Sequence, residues 1–169
     1  MSGSSLTYTI DDKQLQKTFK ALGRVAKNTK PLMNAIGTAL IEGTHQRFER
    51  GIGPDGAAWA PLNPGYAASK RGPGILRESG MRGGLMASIT RKASKDSVEV
   101  GTNKVYAAIH QFGGTITSKS GGYLSFAIGG SFVRVRSVTI PARPFIGISE
   151  EDTRNVTEVV EDAFTRATQ

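Results

Sequence analysis

Cysteine is absent from the 169 residues, which excludes a disulfide framework, thiolate zinc sites, iron–sulfur clusters and a cysteine nucleophile, and gives secretion no support. Histidine occurs only at His45 and His110, so a metal site would have to be rich in carboxylates, yet Glu78, Asp96 and Glu99 are scattered through the middle of the chain. No run approaches the roughly 18 consecutive apolar residues of a membrane span. The polar opening MSGSSLTYTIDDK also lacks the apolar stretch of a signal peptide. A soluble intracellular product is expected, with no membrane, cofactor or small-molecule substrate. No HExxH, GxxxxGK[ST] or GxSxG string occurs, so the reading is a protein without catalytic residues.

What is abundant is glycine, 21 of 169 residues, about 12% against a usual figure of about 7%. Many tight turns are expected. The length suits one domain spanning residues 1–169. The net charge of +8 is unevenly spread: residues 70–143 hold twelve Lys or Arg against three acids, while from Glu150 onward six acids face Arg154 and Arg166. A basic middle with an acidic tail suits nucleic acid as a partner, and equally suits head-to-tail packing of identical subunits.

SLTYTI reads as a short strand, and Asp11 or Asp12 as the cap of a helix in which Leu15, Phe19, Leu22 and Ala26 form one apolar stripe. Lys13, Lys17, Lys20, Arg24 and Lys27 recur at the same spacing on the opposite face, either as a solvated side or as a partner surface. Pro31 opens a second helix to about Arg50, whose Gly37 and Gly43 predict close backbone packing against a neighbour. GIGPDGAAWAPLNPG, residues 51–65, reads as a loop with a Pro-Asp-Gly turn, Trp59 as an anchor, and a brief helix starting at Asn63 and Pro64.

Alternation predicts a hairpin from Ser88–Ala93 and Ser97–Gly101, then a short helix from Val105 to Phe112 closed by Gly113 and Gly114. A second, long hairpin turns at residues 129–131. Arg134 and Arg136 share one of its faces, available to phosphate, to an acidic neighbour or simply to water. In PARPF, Pro141 and Pro144 hold the backbone extended, Arg143 is aimed at a carboxylate or carbonyls, and Phe145 has to bury. Ser149 caps a final helix with Glu150, Glu151 and Asp152 in its first turn. The fold class is α+β: N-terminal and C-terminal helices packed on a small antiparallel sheet built from residues 88–101 and 115–140.

Four segments in order resemble the virion-morphogenesis or tail-completion family of tailed bacteriophages: RFERGIGPDGAAWAPLNPGYAASKRG (47–72), ILRESGMRGGLMASI (75–89), VEVGTNKVYAAIHQFGGTI (98–116) and IPARPFIGIS (140–149). The resemblance implies a small α+β domain without catalysis. It further implies a homo-oligomeric ring, typically a hexamer, at the head-proximal end of the tail, the neck, in contact with neighbouring phage neck and tail proteins. It places the chain in the virion, and in the host cytoplasm during assembly, with genomic DNA passing close by in the lumen. Residues 117–138 form a hairpin extension longer than such a core requires. Trp59, Arg134, Arg136, Arg143, Phe145 and the helix-borne cations Lys13, Lys17, Lys20, Arg24 and Lys27 are the interface candidates. A basic nucleic-acid-binding domain is the rival from another class, and steep salt dependence of binding would favour it.

Overall fold

The computed structural model describes residues 13–78, 84–119 and 121–168, the side chains of residues 13–16, Arg24 and Thr168 excepted. The expected strand SLTYTI and the cap at Asp11 or Asp12 lie outside these residues. Helix α1, Lys13–Lys27, packs against the C-terminal helix through buried Ala21 and half-buried Thr18, Leu22 and Val25. Phe19 and Ala26, expected on the packed stripe, are exposed instead. The small side chain of Ala21 lets the helices approach closely, and Phe19 stands about 160° around the helix from it.

Helix α2, Lys30–Arg50, is central, with the C-terminal helix on one side and the first hairpin on another. Its two glycines explain how. A Cβ on Gly37 would lie 2.6 Å from Arg91 Cδ and 2.7 Å from Val98 Cγ2, both on the hairpin, and one on Gly43 would lie 1.9 Å from Asp152 Oδ1. Each glycine therefore repays its helix cost of about 1 kcal/mol by admitting a neighbour. Gly51 ends α2 in the left-handed region, its N–H donating to Arg47 O. The chain then doubles back through Pro-Asp-Gly, with Gly53 N–H donating to Ala57 O and Trp59 N–H to Gly51 O, which returns Trp59 to the end of α2. The letters GIGPDG have dinucleotide-binding spacing, but that motif needs a strand before it and a helix N-terminus after it. Here a helix comes before and a tight turn after, so no phosphate cradle forms. Helix α3, Pro64–Ser69, starts as read, with Asn63 Oδ1 accepting from the N–H groups of Gly65 and Tyr66.

The expected single sheet resolves into three two-stranded antiparallel ribbons. Strands β1 (Thr90–Ala93) and β2 (Val98–Gly101) form the first hairpin, which lies on α2. Helix α4, Ala107–Phe112, follows, and Gly113 then takes φ 70°, where a side chain would also meet Ala142 N at 2.7 Å. The long hairpin has β3 (Gly114–Thr117) on β6 (Ser137–Ile140) at its base and β4 (Leu124–Ile128) on β5 (Ser131–Val135) at its tip. Between the pairs Thr117↔Ser137 and Leu124↔Val135, residues 118–123 on one strand oppose Arg136 alone on the other. Such an unequal insertion breaks the ladder, so base and tip become separate ribbons.

Helix α5, Glu150–Thr168, completes the α+β architecture against α1 and α2. The core is compact: Phe48, Trp59, Leu85, Ile89, Ala107 and Phe145 form one buried cluster. Phe48 meets Trp59 edge-on at 5.5 Å between ring centroids and Phe145 at 5.2 Å. The segments carrying the family resemblance meet in this cluster.

Candidate functional site

The polar centre of the molecule is a buried ion pair. Arg47 sits on the inward face of α2, one turn after Gly43, and its Nη1 donates to Asp152 Oδ2 at 2.5 Å, with the two side chains 6% and 1% exposed. The remaining guanidinium donors reach Phe145 O at 3.1 Å, Gly147 O at 3.0 Å and Thr44 Oγ1 at 3.0 Å. Asp152 is also the third residue of α5, so the same carboxylate accepts from Ser149 N–H and Ser149 Oγ–H at 2.8 Å, while Ser149 Oγ accepts from Asp152 N–H. This is a capping box closed on a buried arginine. Asp152 Oδ1 has no hydrogen-bond partner among the described residues and lies where Gly43 leaves room.

From there the chain 141–147 is strapped down along its length. Trp59 Nε1–H donates to Pro144 O at 2.8 Å. Arg143 donates through Nε to Ala60 O and through Nη2 to Pro61 O, and its own N–H donates to His110 O. Gln111 takes the place of a neighbouring strand: its Oε1 accepts from Phe145 N–H and Ile146 N–H, and its Nε2 donates to Ile146 O. Of the interface candidates, Trp59, Arg143 and Phe145 are thus buried within the subunit's own knot, at 6%, 5% and 1% exposure. Their role in the structure is internal, as anchor, carbonyl clamp and core residue.

Beneath the long hairpin lies a largely apolar cavity of about 710 Å³, bounded by α3, α4 and the inner faces of β4 and β6. Lys70, Glu78, Tyr106, His110 and Arg143 stand on its wall. Burial holds the His110 imidazole below the usual histidine range, the Arg143 charge adds to this, and Glu78 opposes it. Burial raises Tyr106, helped by the Glu78 carboxylate that accepts its hydroxyl proton at 3.2 Å. Burial lowers Lys70, opposed by Glu78 and reinforced by Arg77, and its ammonium is spent on the carbonyls of Arg71, Gly72 and Arg77. His110 Nδ1 is buried without a hydrogen-bond partner among the described residues. The one hydrogen-bonded pair among these side chains, Tyr106 with Glu78, holds the phenol in its neutral form, so it is not an activated nucleophile. Nor do the described residues hold a group of three or more His, Asp or Glu able to take a metal ion, or a helix long and apolar enough to cross a membrane.

The outer surface is a different matter. Arg134 is exposed on the β4–β5 ribbon and Arg136 is exposed just beyond its end, where the ladder breaks, and Arg134 lies 5.1 Å over the Tyr123 ring. Lys17, Lys20 and Lys27 are exposed on α1, while the side chains of Lys13 and Arg24 lie outside the described residues. Large apolar groups are exposed as well: Val105 at 97%, Phe112 at 78%, Phe132 at 75% and Phe19 at 64%. Arg47, Gln111 and Asp152 were not singled out in the sequence. Ser149 with Asp152 three residues on was the available signal, since that spacing is the capping box.

Comparison with known proteins agrees with this architecture. Residues 10–165 match the model of the phage virion morphogenesis family. The chain is 34% identical over 158 residues to the Mu-like prophage FluMu G protein 2 of Haemophilus influenzae, covering 92% of this chain and 94% of that one. It is 27% identical over 158 residues to the putative capsid assembly protein G of Escherichia phage Mu, with 92% and 91% covered. No solved structure matches it. The match runs through α2, the Trp59 loop, α4, PARPF and α5 alike, and the chain belongs to the phage virion morphogenesis family.

Proposed function

We propose that the chain is a non-catalytic structural subunit that forms a closed ring of identical copies, a hexamer by family resemblance, at the head-proximal end of the tail. There it completes the tail and helps the head to join. The observation that carries this reading is the division between a small, fully strapped core and a surface with Phe19, Val105, Phe112, Phe132 and Ile148 more than half exposed. Exposed apolar groups of that size are available for contacts with other proteins, the use that contiguous apolar surface serves. Neighbouring neck and tail proteins are the partners for the surfaces the ring itself does not use. The cations of α1 suit a lumen through which DNA passes.

The name carried by the phage Mu relative points to a second reading, a head-side role in capsid assembly. Phage deprived of this chain separates the two. Electron microscopy of the lysate is expected to show filled heads and free tails that have not joined. Absence of capsids would favour the capsid role, and normal particles at normal titre would contradict both. A sequence-independent DNA-binding role predicts instead that purified protein binds duplex DNA with a steep loss of affinity as salt rises.

A further inference from the structure

Helix α5 carries six acids, and four of them are held in ion pairs. On α5, Glu150 pairs with Arg154, Glu151 with Arg50, Asp152 with Arg47 and Asp162 with Arg166. Glu158 and Glu161 are exposed and have no ion-pair partner among the described residues, and exposed Phe164 continues their stripe three residues further on. A second row is exposed Phe132 and Arg134 on β5 with exposed Arg136 just beyond its end, neither arginine being in an ion pair among the described residues. No acid occurs anywhere between Glu99 and Glu150, so the ribbon's own neighbourhood in sequence offers no counter-charge.

The ribbon's two faces are not equivalent. Its inner side, Leu124, Phe126 and Ile128, closes the cavity, and the tip leans on α3 through the Gly129 N–H to Ser69 Oγ bond at 3.2 Å. The outer side puts Ser125 and Ala127 opposite Arg134 and Phe132, so the long side chains of β5 border a shallow strip left by short ones. Tyr123 supports the Arg134 guanidinium from the side.

We propose that this outer face docks onto α5 of the next copy, with Phe132 against Phe164, Arg134 against Glu161 and Arg136 against Glu158. The inference rests on the reading of the chain as a ring subunit, and it names the contact that closes the ring. Alternate residues on a strand repeat every 6.6 Å or so, and residues three apart on a helix have Cβ atoms about 5–6 Å apart. Two rows ordered apolar–charged–charged therefore pair in the same order, the long Arg and Glu side chains taking up the difference between the strand spacing and a helix rise of about 4.5 Å per step. The ribbon is held by α3 and the acidic row by α1 and α2, so each copy presents both faces at once. A contact between unlike faces is heterologous, and repeated around an axis it closes into a ring.

The absence of cysteine makes the test clean. Phe132→Cys and Phe164→Cys are introduced together, and purified particles carrying the variant are treated with a short bis-maleimide. The expected result on a denaturing gel is a ladder of linked chains extending past the dimer, with each single-cysteine variant remaining monomeric. Alkylated monomers alone, a link within one chain, or dimers with nothing larger would overturn the proposal, the last because it signifies two-fold pairing. Charge exchange provides the second measurement. R134E/R136E and E158R/E161R are each expected to lower titre roughly a hundredfold or more, as like charges brought face to face do, while the four changes together restore it.

Failure of the four-site variant to recover, with all three variants folded, overturns the proposal. So does loss of DNA binding in R134E/R136E with the ladder unchanged, since the face then serves nucleic acid. A ladder in particles whose copies lie away from the neck supports this contact and refutes the neck position. Copies at the neck without a ladder refute the contact alone.

Discussion

Replacing Asp152 by alanine should be the most damaging single change in the molecule. Its carboxylate is 1% exposed and accepts from Arg47, Ser149 N–H and Ser149 Oγ–H through one oxygen. Removing it strands a guanidinium that remains buried by its bonds to Phe145 O, Gly147 O and Thr44 Oγ1. Breaking a buried pair from one side costs about 3–5 kcal/mol, and loss of a helix cap costs about 0.5–2 kcal/mol. The two overlap in one carboxylate, so about 4 kcal/mol is expected, against a total stability of about 5–15 kcal/mol. At about 2–4 °C per kcal/mol for a chain of this size, the melting temperature should fall by about 8–16 °C. Urea unfolding followed through Trp59, the only tryptophan, reports on the core directly. The double variant Arg47→Met/Asp152→Ala should be more stable than Asp152→Ala, because it removes the stranded charge. A single variant within about 1 kcal/mol of the parent, or a double variant worse than the single, would refute the account.

Gly37→Ala should cost about 1–3 kcal/mol by overpacking, because its Cβ meets Arg91 and Val98 on the first hairpin; chemical shifts of β1 and β2 should move, and unchanged shifts and stability would contradict it. Gln111→Leu should free three backbone groups of Phe145 and Ile146, at about 1–3 kcal/mol for each one left buried and unbonded. Faster hydrogen exchange at those two amides is the check. His110 is held neutral by burial, so the unfolded chain binds a proton more readily than the folded one. Its contribution is complete above about pH 6.5 and is lost as pH falls toward and through the lowered folded value. His110→Gln should therefore unfold with a flatter pH dependence between pH 7.5 and 5, about the usual histidine titration range, and an unchanged slope would contradict this.

Much of the fold was legible in the sequence because it depends on local order. Periods of 3.6 and 2 located the helices and both hairpins, and Gly37 and Gly43 announced close packing before any neighbour was known. PARPF was legible too, since two prolines fix the backbone and leave Arg143 few directions. Side-chain bonds between distant residues were not. Arg47 and Asp152 are 105 positions apart, and no periodicity marks an arginine that turns inward among apolar residues. Gln111 is likewise invisible until PARPF is folded against it. Phe19 was misplaced because an apolar stripe records chemistry alone, whereas the smaller Ala21 decides how closely α1 can approach α5. The division of the sheet into ribbons depends on the unequal lengths of residues 118–123 and Arg136 between paired strands, which becomes visible only once register is known.

The central claim concerns where the chain sits in the particle, and localisation tests it most directly. An epitope tag on the chain, in particles that remain infectious, can be marked with gold-labelled antibody and imaged by electron microscopy. The account predicts label confined to one band between head and tail, at the head-proximal tail end. Label over the capsid shell or on the tail fibres would contradict it.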